Sequence, residues 1–258
     1  AYADCDVDAP NLHLVTRQGP VSNKKNYYGL ERAEIDASKC ISCDICRQNC
    51  RFDAIFSKET YKVNPFACEG CGVCEAICPA NAITSKPAVD GELLLYKKEK
   101  SIFSTAQLKM GSGTSGLLVT EVKKQMKEAK SDAEFAIIDG SPGIGCPVIA
   151  SLSGVDMVLI VAEPSLSGIS DMKRIIITAE KFGIKTAVCI NKFDINIKNT
   201  EKIKAFCKKE KISYMGEIPF DHDAVNAVNK GMTIADIDCA AGKAAKKVYE
   251  ETEKLLFE

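Results

Sequence analysis

Eight cysteines hold the plainest chemistry in this sequence, because they fall in two runs of the same spacing. Cys40, Cys43, Cys46 and Cys50 make one C-x2-C-x2-C-x3-C run, and Cys68, Cys71, Cys74 and Cys78 make the other. Three thiolates with two residues between neighbours share one tight turn and can reach adjacent corners of a single compact inorganic core. The longer last step begins a helix that carries the fourth thiolate across. Structural zinc asks for less: paired C-x2-C knuckles suffice, and four cysteines in each run would be superfluous. The pattern therefore predicts two [4Fe–4S] clusters, with zinc as the rival reading.

In two-cluster proteins of this spacing, the fourth cysteine of each run ligates the other cluster. The expected ligand sets are thus Cys40, Cys43, Cys46 and Cys78 for one, and Cys68, Cys71, Cys74 and Cys50 for the other. The second run keeps a proline, Pro79, after its last cysteine, whereas the first ends Cys50-Arg51. A cation at Arg51 should raise the potential of the cluster beside it. Of the five scattered cysteines, Cys189 lies in an apolar stretch and reads as a small buried hydrophobe. Cys146 sits in a Gly/Pro loop, where a ligand or redox role is the alternative to none. His13 and His222 have no metal-ligating company and read as ordinary polar residues.

A second set of residues is carboxylate. Asp4, Asp6 and Asp8 follow a short apolar segment, and Asp139 ends another, EFAIID, before the loop Gly140-Ser141-Pro142-Gly143-Ile144-Gly145. Carboxylates at the carboxyl ends of strands occupy the edge where open α/β sheets bind ligands. An Asp at the position of Asp139 can hold Mg²⁺ through water, and a Gly/Pro loop after it can respond to a γ-phosphate. Asn191 and Asp194 follow the strand-like KTAVCI, where they could read a purine base. Each of these is also ordinary turn chemistry; their order along successive strands is what points to a nucleotide.

The elements that must position these groups are legible as well. Strands are expected at 134–139, 155–162, 185–190 and 212–218, with helices near 117–130, 167–182, 199–210 and 241–257. Short apolar strands alternating with helices predict an α/β fold with a mostly parallel sheet flanked by helices. Residues 87–109 read as a hairpin and 15–39 as containing a polar surface connection. Gly111 to Gly116 spells G-x-G-x-x-G ahead of a helix, but the preceding SIFSTAQLK is polar and alternating, unlike the buried first strand of a dinucleotide site. The last helix, KAAKKVYEETEKLLFE, aligns Val248, Tyr249, Thr252, Leu255 and Leu256 on one face; core packing explains that stripe better than membrane docking.

Composition narrows the class. The chain has 258 residues, 46% hydrophobic and 27% charged, with a net charge of -1. So balanced a charge argues against a nucleic-acid partner, and no apolar run approaches the ~18 residues of a membrane span. Thirteen cysteines without a signal-peptide pattern point to the reducing cytoplasm rather than to disulfides.

The segments ADCDVDAPNLHL, FAIIDGSPGIGCPVIASLSGVD, AEPSLSGISDMKR, CINKFDIN and GEIPFD resemble the MinD/ParA-like ATPases of the deviant Walker-A class. More closely they resemble the subgroup with an inserted ferredoxin domain, the cobyrinic acid a,c-diamide synthase-like chains. The resemblance covers nearly the whole chain. It implies a P-loop NTPase-like domain at 1–34 and 87–258 with an α+β bacterial-ferredoxin insert at 35–86. By the same analogy Asp6 would position the attacking water, Asp4 would support Mg²⁺, Asp139 would open the second switch with Gly143 in its loop, and Asn191 and Asp194 would contact the nucleotide base. The family's phosphate-binding loop, of the type K-G-G-x-G-K-T, does not occur in these residues, and the opening AYADCDVD leads us to expect a missing upstream segment. ATP and Mg²⁺ are implied cofactors only with that loop supplied. A homodimer or partner ATPase subunit is implied, and a redox protein or an apo-protein acceptor would receive electrons or clusters. The readings left open are ATP-gated electron transfer, cluster carriage or assembly, and a binding module whose ATPase half is vestigial.

Overall fold

The computed structural model describes residues 1–99, 101–129 and 133–258. They divide into two units: Ala1–Pro10 with Pro20–Ile137, and Asn11–Gly19 with Ile138–Glu258.

In the first unit the strands are β1 (Tyr2–Asp4), β2 (Asn23–Tyr28), β3 (Arg32–Ile35), β4 (Ile55–Ser57), β5 (Tyr61–Val63), β6 (Ile83–Lys86), β7 (Val89–Lys98) and β8 (Ser101–Leu108). The expected hairpin is β7 and β8, paired antiparallel from Gly91–Leu108 to Lys98–Ser101. β1 lies parallel to β8, with Tyr2 opposite Phe103. At the unit's edge the Ile137 amide, opening β9 (Ile137–Asp139), donates to the Ala1 carbonyl at 2.9 Å. Helix Ser115–Glu128 presents Leu118, Val119, Val122 and Met126 as a buried stripe. Those positions recur at helical spacing, so one face packs on β8 and β1. The expected end of this helix at residue 130 falls outside the described residues.

Two expectations fail here for identifiable reasons. The polar stretch NKKNYY is strand β2, antiparallel to β7, with Tyr27 its buried residue. Lysines and asparagines suit an edge strand, where charge discourages further pairing, and Lys24 meets Glu92 of β7 at 2.8 Å. β8 alternates in sequence yet is buried from Ile102 through Ala106. Among its buried polar members the Ser104 hydroxyl donates to the Val122 carbonyl at 2.8 Å, whereas the Thr105 hydroxyl has no partner among the described residues. Two small antiparallel ladders, β3 with β6 and β4 with β5, complete this unit and frame the cysteine turns.

In the second unit β10 (Met157–Ala162), β11 (Lys185–Asn191) and β12 (Ser213–Ile218) run parallel in that order. Helices Leu166–Lys181 and Ile197–Glu210 make the crossovers. Ile160, Met172, Ile176, Val188, Ile190 and Ile203 share one buried core. The mostly parallel α/β expectation holds, with its strands within two residues of their sequence-based bounds except for 134–139, which shortens to β9. Helix Ala240–Phe257 packs on β12 through Val248, which lies against Gly216, where an added Cβ would sit 3.3 Å from it. Tyr249 falls outside that buried face and hydrogen-bonds Glu253 instead. Among the described residues no helix is long and apolar enough to cross a membrane. Two helices escaped the sequence reading, Cys146–Leu152 and His222–Asn229. The first begins where a Gly/Pro loop was expected. Gly145 caps it and Pro147 occupies its first turn, a place where proline costs no hydrogen bond.

Candidate metal centres

Each cysteine run folds into the same local shape, and the reason lies in two left-handed residues. In the first run these are Ser42 (φ 55°) and Asp44 (φ 64°); in the second, Gly70 (φ 63°) and Gly72 (φ 73°). The reversals curl the chain around its first three thiols and lead into one-turn helices, Ile45–Gln48 and Val73–Ala76. Glycine is required at 70 on a second count: an added Cβ would lie 2.2 Å from the Glu31 carbonyl oxygen.

Two hollows result. Cys40, Cys43, Cys46 and Cys78 line one, together with Ile35, Tyr61 and Ile83. Cys50, Cys68, Cys71 and Cys74 line the other, together with Ala33, Phe52 and Val63. The fourth thiol of each run thus crosses to the opposite hollow, the exchange read from the spacing. Both hollows are open-mouthed, at about 350 and 420 Å³ with the solvent at their mouths included. Among the described residues no three Cys, His, Asp or Glu side chains converge on a point that a single metal ion could occupy. Four thiols spread around a largely apolar hollow fit a [4Fe–4S] core and fit a bare zinc ion poorly. Burial pushes the Cys46 and Cys74 thiols up from their ordinary range, so both need the positive charge of bound iron to become thiolates. Cys43 and Cys71 are exposed.

Neighbouring side chains lock the turns. The Asp44 carboxylate accepts from Arg47 Nε (2.7 Å) and Nη2 (2.6 Å), and from the Tyr61 hydroxyl (2.7 Å). Arg47 first, and Tyr61 next, hold its carboxyl well below the usual carboxylate range. Glu75 accepts from the Ser85 amide and hydroxyl, at 3.1 and 2.6 Å. At the root of the module, Arg32 of β3 meets the buried Asp90 of β7 at 2.6 Å, which moors the ladder to the larger sheet. Spacing alone indicated none of these residues. Setting the second run beneath the first, position by position, is the signal that would have singled out Asp44 against Gly72.

The expected nucleotide residues divide between the units. In the first, Asp4 ends β1 fully buried, and its carboxylate accepts from the Asp6 amide at 3.1 Å. In the second, Asp139 is exposed at the end of β9, and Gly143 has a left-handed φ of 87° in the loop that follows. Asn191 closes β11, and the exposed Asp194 accepts from the Phe220 amide at 2.8 Å after β12. Lys192 pairs with Glu163 at 2.6 Å, so the loops after β10, β11 and β12 are tied together at the carboxyl ends of three parallel strands. The Gly111–Gly116 loop leads from β8 into helix Ser115–Glu128 and lies against the second cysteine run, Gly111 beside Phe66 and Gly113 beside Glu69.

Taken together, the fold and the hollows define an α/β chain with a cysteine module shaped for two clusters. A family model described as a 4Fe-4S binding domain matches residues 33–56 and 61–84. An uncharacterized protein of Methanocaldococcus jannaschii is 33% identical over 255 residues, covering 98% of this chain and 85% of its own length. The septum site-determining protein MinD of Helicobacter pylori is 27% identical over 144 residues, about half of either chain (50% and 51%). Among solved structures, the septum site-determining protein MinD of Pyrococcus horikoshii, complexed with Mg-ADP, has the same fold at a TM-score of 0.57 and 15% identity, covering 98% of this chain and 83% of that one. The chain belongs to the family of the Methanocaldococcus protein; its fold is MinD-like, and it carries a 4Fe-4S binding module.

Proposed function

We propose that this protein binds two [4Fe–4S] clusters, one at Cys40, Cys43, Cys46 and Cys78 and one at Cys50, Cys68, Cys71 and Cys74, and that nucleotide binding gates electron delivery to a partner protein. The observation that supports it most is the crossing of Cys50 and Cys78 into opposite hollows. When bound, each cluster supplies a one-electron couple. The insert spans 35–86, and 1–34 with 87–258 make the nucleotide domain. Within that domain Asp4 shapes the turn that presents Asp6 to water, Asp139 and Gly143 provide the switch, and Asn191 faces the base, while Asp194 positions the loop behind it through Phe220. The working form is a homodimer or a pair with a related subunit, in the cytoplasm. The exposed thiols of Cys43 and Cys71 favour cluster hand-over to an apo-protein as the second reading.

Protein prepared without oxygen should hold about eight irons and eight sulfides per chain, and Cys50→Ser or Cys78→Ser should damage the cluster built mainly by the other run. Stoichiometric zinc without labile sulfide would overturn the cluster reading. The 258 residues contain no K-G-G-x-G-K-T loop, and their carboxylates repel a triphosphate, so calorimetry should find little ATP binding. Joining a strand, loop and helix of the family type upstream should create it, with Asp6→Ala then blocking hydrolysis and sparing binding. No gain on joining would sink the nucleotide half of the proposal.

A further inference from the structure

The two family matches begin at 33 and 61 and end at 56 and 84, so each position in one half has a counterpart 28 residues away in the other. Comparing counterparts exposes a difference that the shared spacing conceals. We propose that the two cluster sites differ in electron affinity, and that the site of Cys40, Cys43, Cys46 and Cys78 takes the first electron. This rests on the cluster reading above.

Charge is the first ground. Beside the Cys40 site, Asp44 and Arg47 neutralise one another in a two-bonded pair. Their counterparts beside the Cys68 site are Gly72 and Glu75. Among the described residues no cation pairs with Glu75, whose carboxylate is folded onto Ser85, a residue that lines that hollow. Ile41, an apolar liner of the first hollow, has as its counterpart Glu69, a liner of the second. One carboxylate, Glu69, therefore lines the Cys68 site where the Cys40 site has an isoleucine, and a second, Glu75, is held at its rim through Ser85 where the Cys40 site has an ion pair. Arg51 works in the opposite sense, but it is exposed, and among the described residues no hydrogen bond ties it to a lining residue as Ser85 ties Glu75. Negative charge disfavours adding an electron, so the Cys68 site is the weaker acceptor.

Hydrogen bonding to sulfur is the second ground, and it is independent of the first. The Ala82 amide donates to Cys78 Sγ at 3.3 Å. Its counterpart would run from Ala54 to Cys50, and no such bond is present among the described residues. An N–H aimed at a ligand sulfur stabilises the added negative charge, which again favours the Cys40 site. The redox step is simple: one electron from an outside donor converts a 2+ core to 1+, with no bond made or broken.

The test is a potentiometric titration with dithionite, followed by electron paramagnetic resonance, on the full chain after iron and sulfide analysis. Two reduction waves are expected. Glu69→Gln with Glu75→Gln should raise the lower wave alone, by about the 59 mV that a tenfold change in electron partition represents for a one-electron couple. Arg47→Gln leaves Asp44 unneutralised and should depress the upper wave alone, so the two variants narrow the gap from opposite sides. Coincident waves in the wild type, or an upper wave that responds to the Glu69 and Glu75 changes, would overturn the assignment. Absence of iron and sulfide would instead overturn the cluster reading itself. Should a variant fail to load both clusters, Glu69→Ile, which copies the counterpart residue, serves as its replacement.

Discussion

The cysteine module and the β10–β12 layer are both small, yet they are held together by different forces. Between β3 and β6 the fully buried apolar residues are few: Ala54, Ile55, Ala82 and Ile83. The β10–β12 layer has Ile160, Met172, Ile176, Val188, Ile190 and Ile203 in one core. A segment that buries so little cannot offset the entropy of ordering its chain, which costs about 1–2 kcal/mol per residue for the backbone alone. Its order must come from the eight thiols and what they bind. The difference teaches that two equally ordered regions can rest on unlike physics, metal–thiolate bonds in one and dispersion with hydrophobic burial in the other.

Removing iron separates the two most sharply. Chelation under reducing conditions should abolish amide protection in the Cys40–Cys78 segment while β10, β11 and β12 keep theirs, as hydrogen exchange would read. Persistent protection around the empty thiols would break the contrast. Next in size is Ile190→Ala, at a residue with 0% exposure. It should cost about 2–5 kcal/mol in the second unit, measured by denaturant unfolding. Absorbance near ~400 nm, from the clusters, should not change at native conditions.

Smaller effects divide the module from within. Gly70→Ala adds a methyl group 2.2 Å from a backbone oxygen at a left-handed φ, and should destabilise the second turn by about 1–3 kcal/mol. Gly72→Ala shares the left-handed φ but meets nothing within 4 Å, so its cost should stay near the ~1 kcal/mol of the backbone conformation alone. The readout is the rate of cluster loss in urea; equal rates for the two variants would show that the contact with Glu31 does not matter. The smallest effect belongs to Lys123, buried in helix Ser115–Glu128, whose pKa is lowered chiefly by burial. Its folded pKa lies below the unfolded value of ~10.4, so the unfolded chain binds more protons and stability rises with pH between the two. Wild type should therefore gain on Lys123→Met as pH climbs toward ~10.4. A pH-independent difference would show that burial does not penalise the charge.

Much of the architecture was legible because it is local. The continuous apolar run within 185–190 reports burial on both faces, and the x2 and x3 steps between cysteines fix which thiols share a turn through covalent distance alone. β2 was missed because its polar composition is that of a loop, and only pairing with β7 makes NKKNYY a strand. The helix at Cys146–Leu152 was missed because Gly145 and Pro147 read as breakers when they are in fact its start.

By itself the sequence determined that eight thiols form two crossed sets, that an α/β fold surrounds them, and that carboxylates end its strands. Tertiary structure alone decided what surrounds each set. Asp44 meets Tyr61 across 17 positions of sequence, Glu75 meets Ser85 across 10, and Glu31 closes over Gly70. Ligand spacing is a property of one short stretch of chain, whereas the charge and hydrogen bonds around a cluster depend on which distant segments the fold brings to its side.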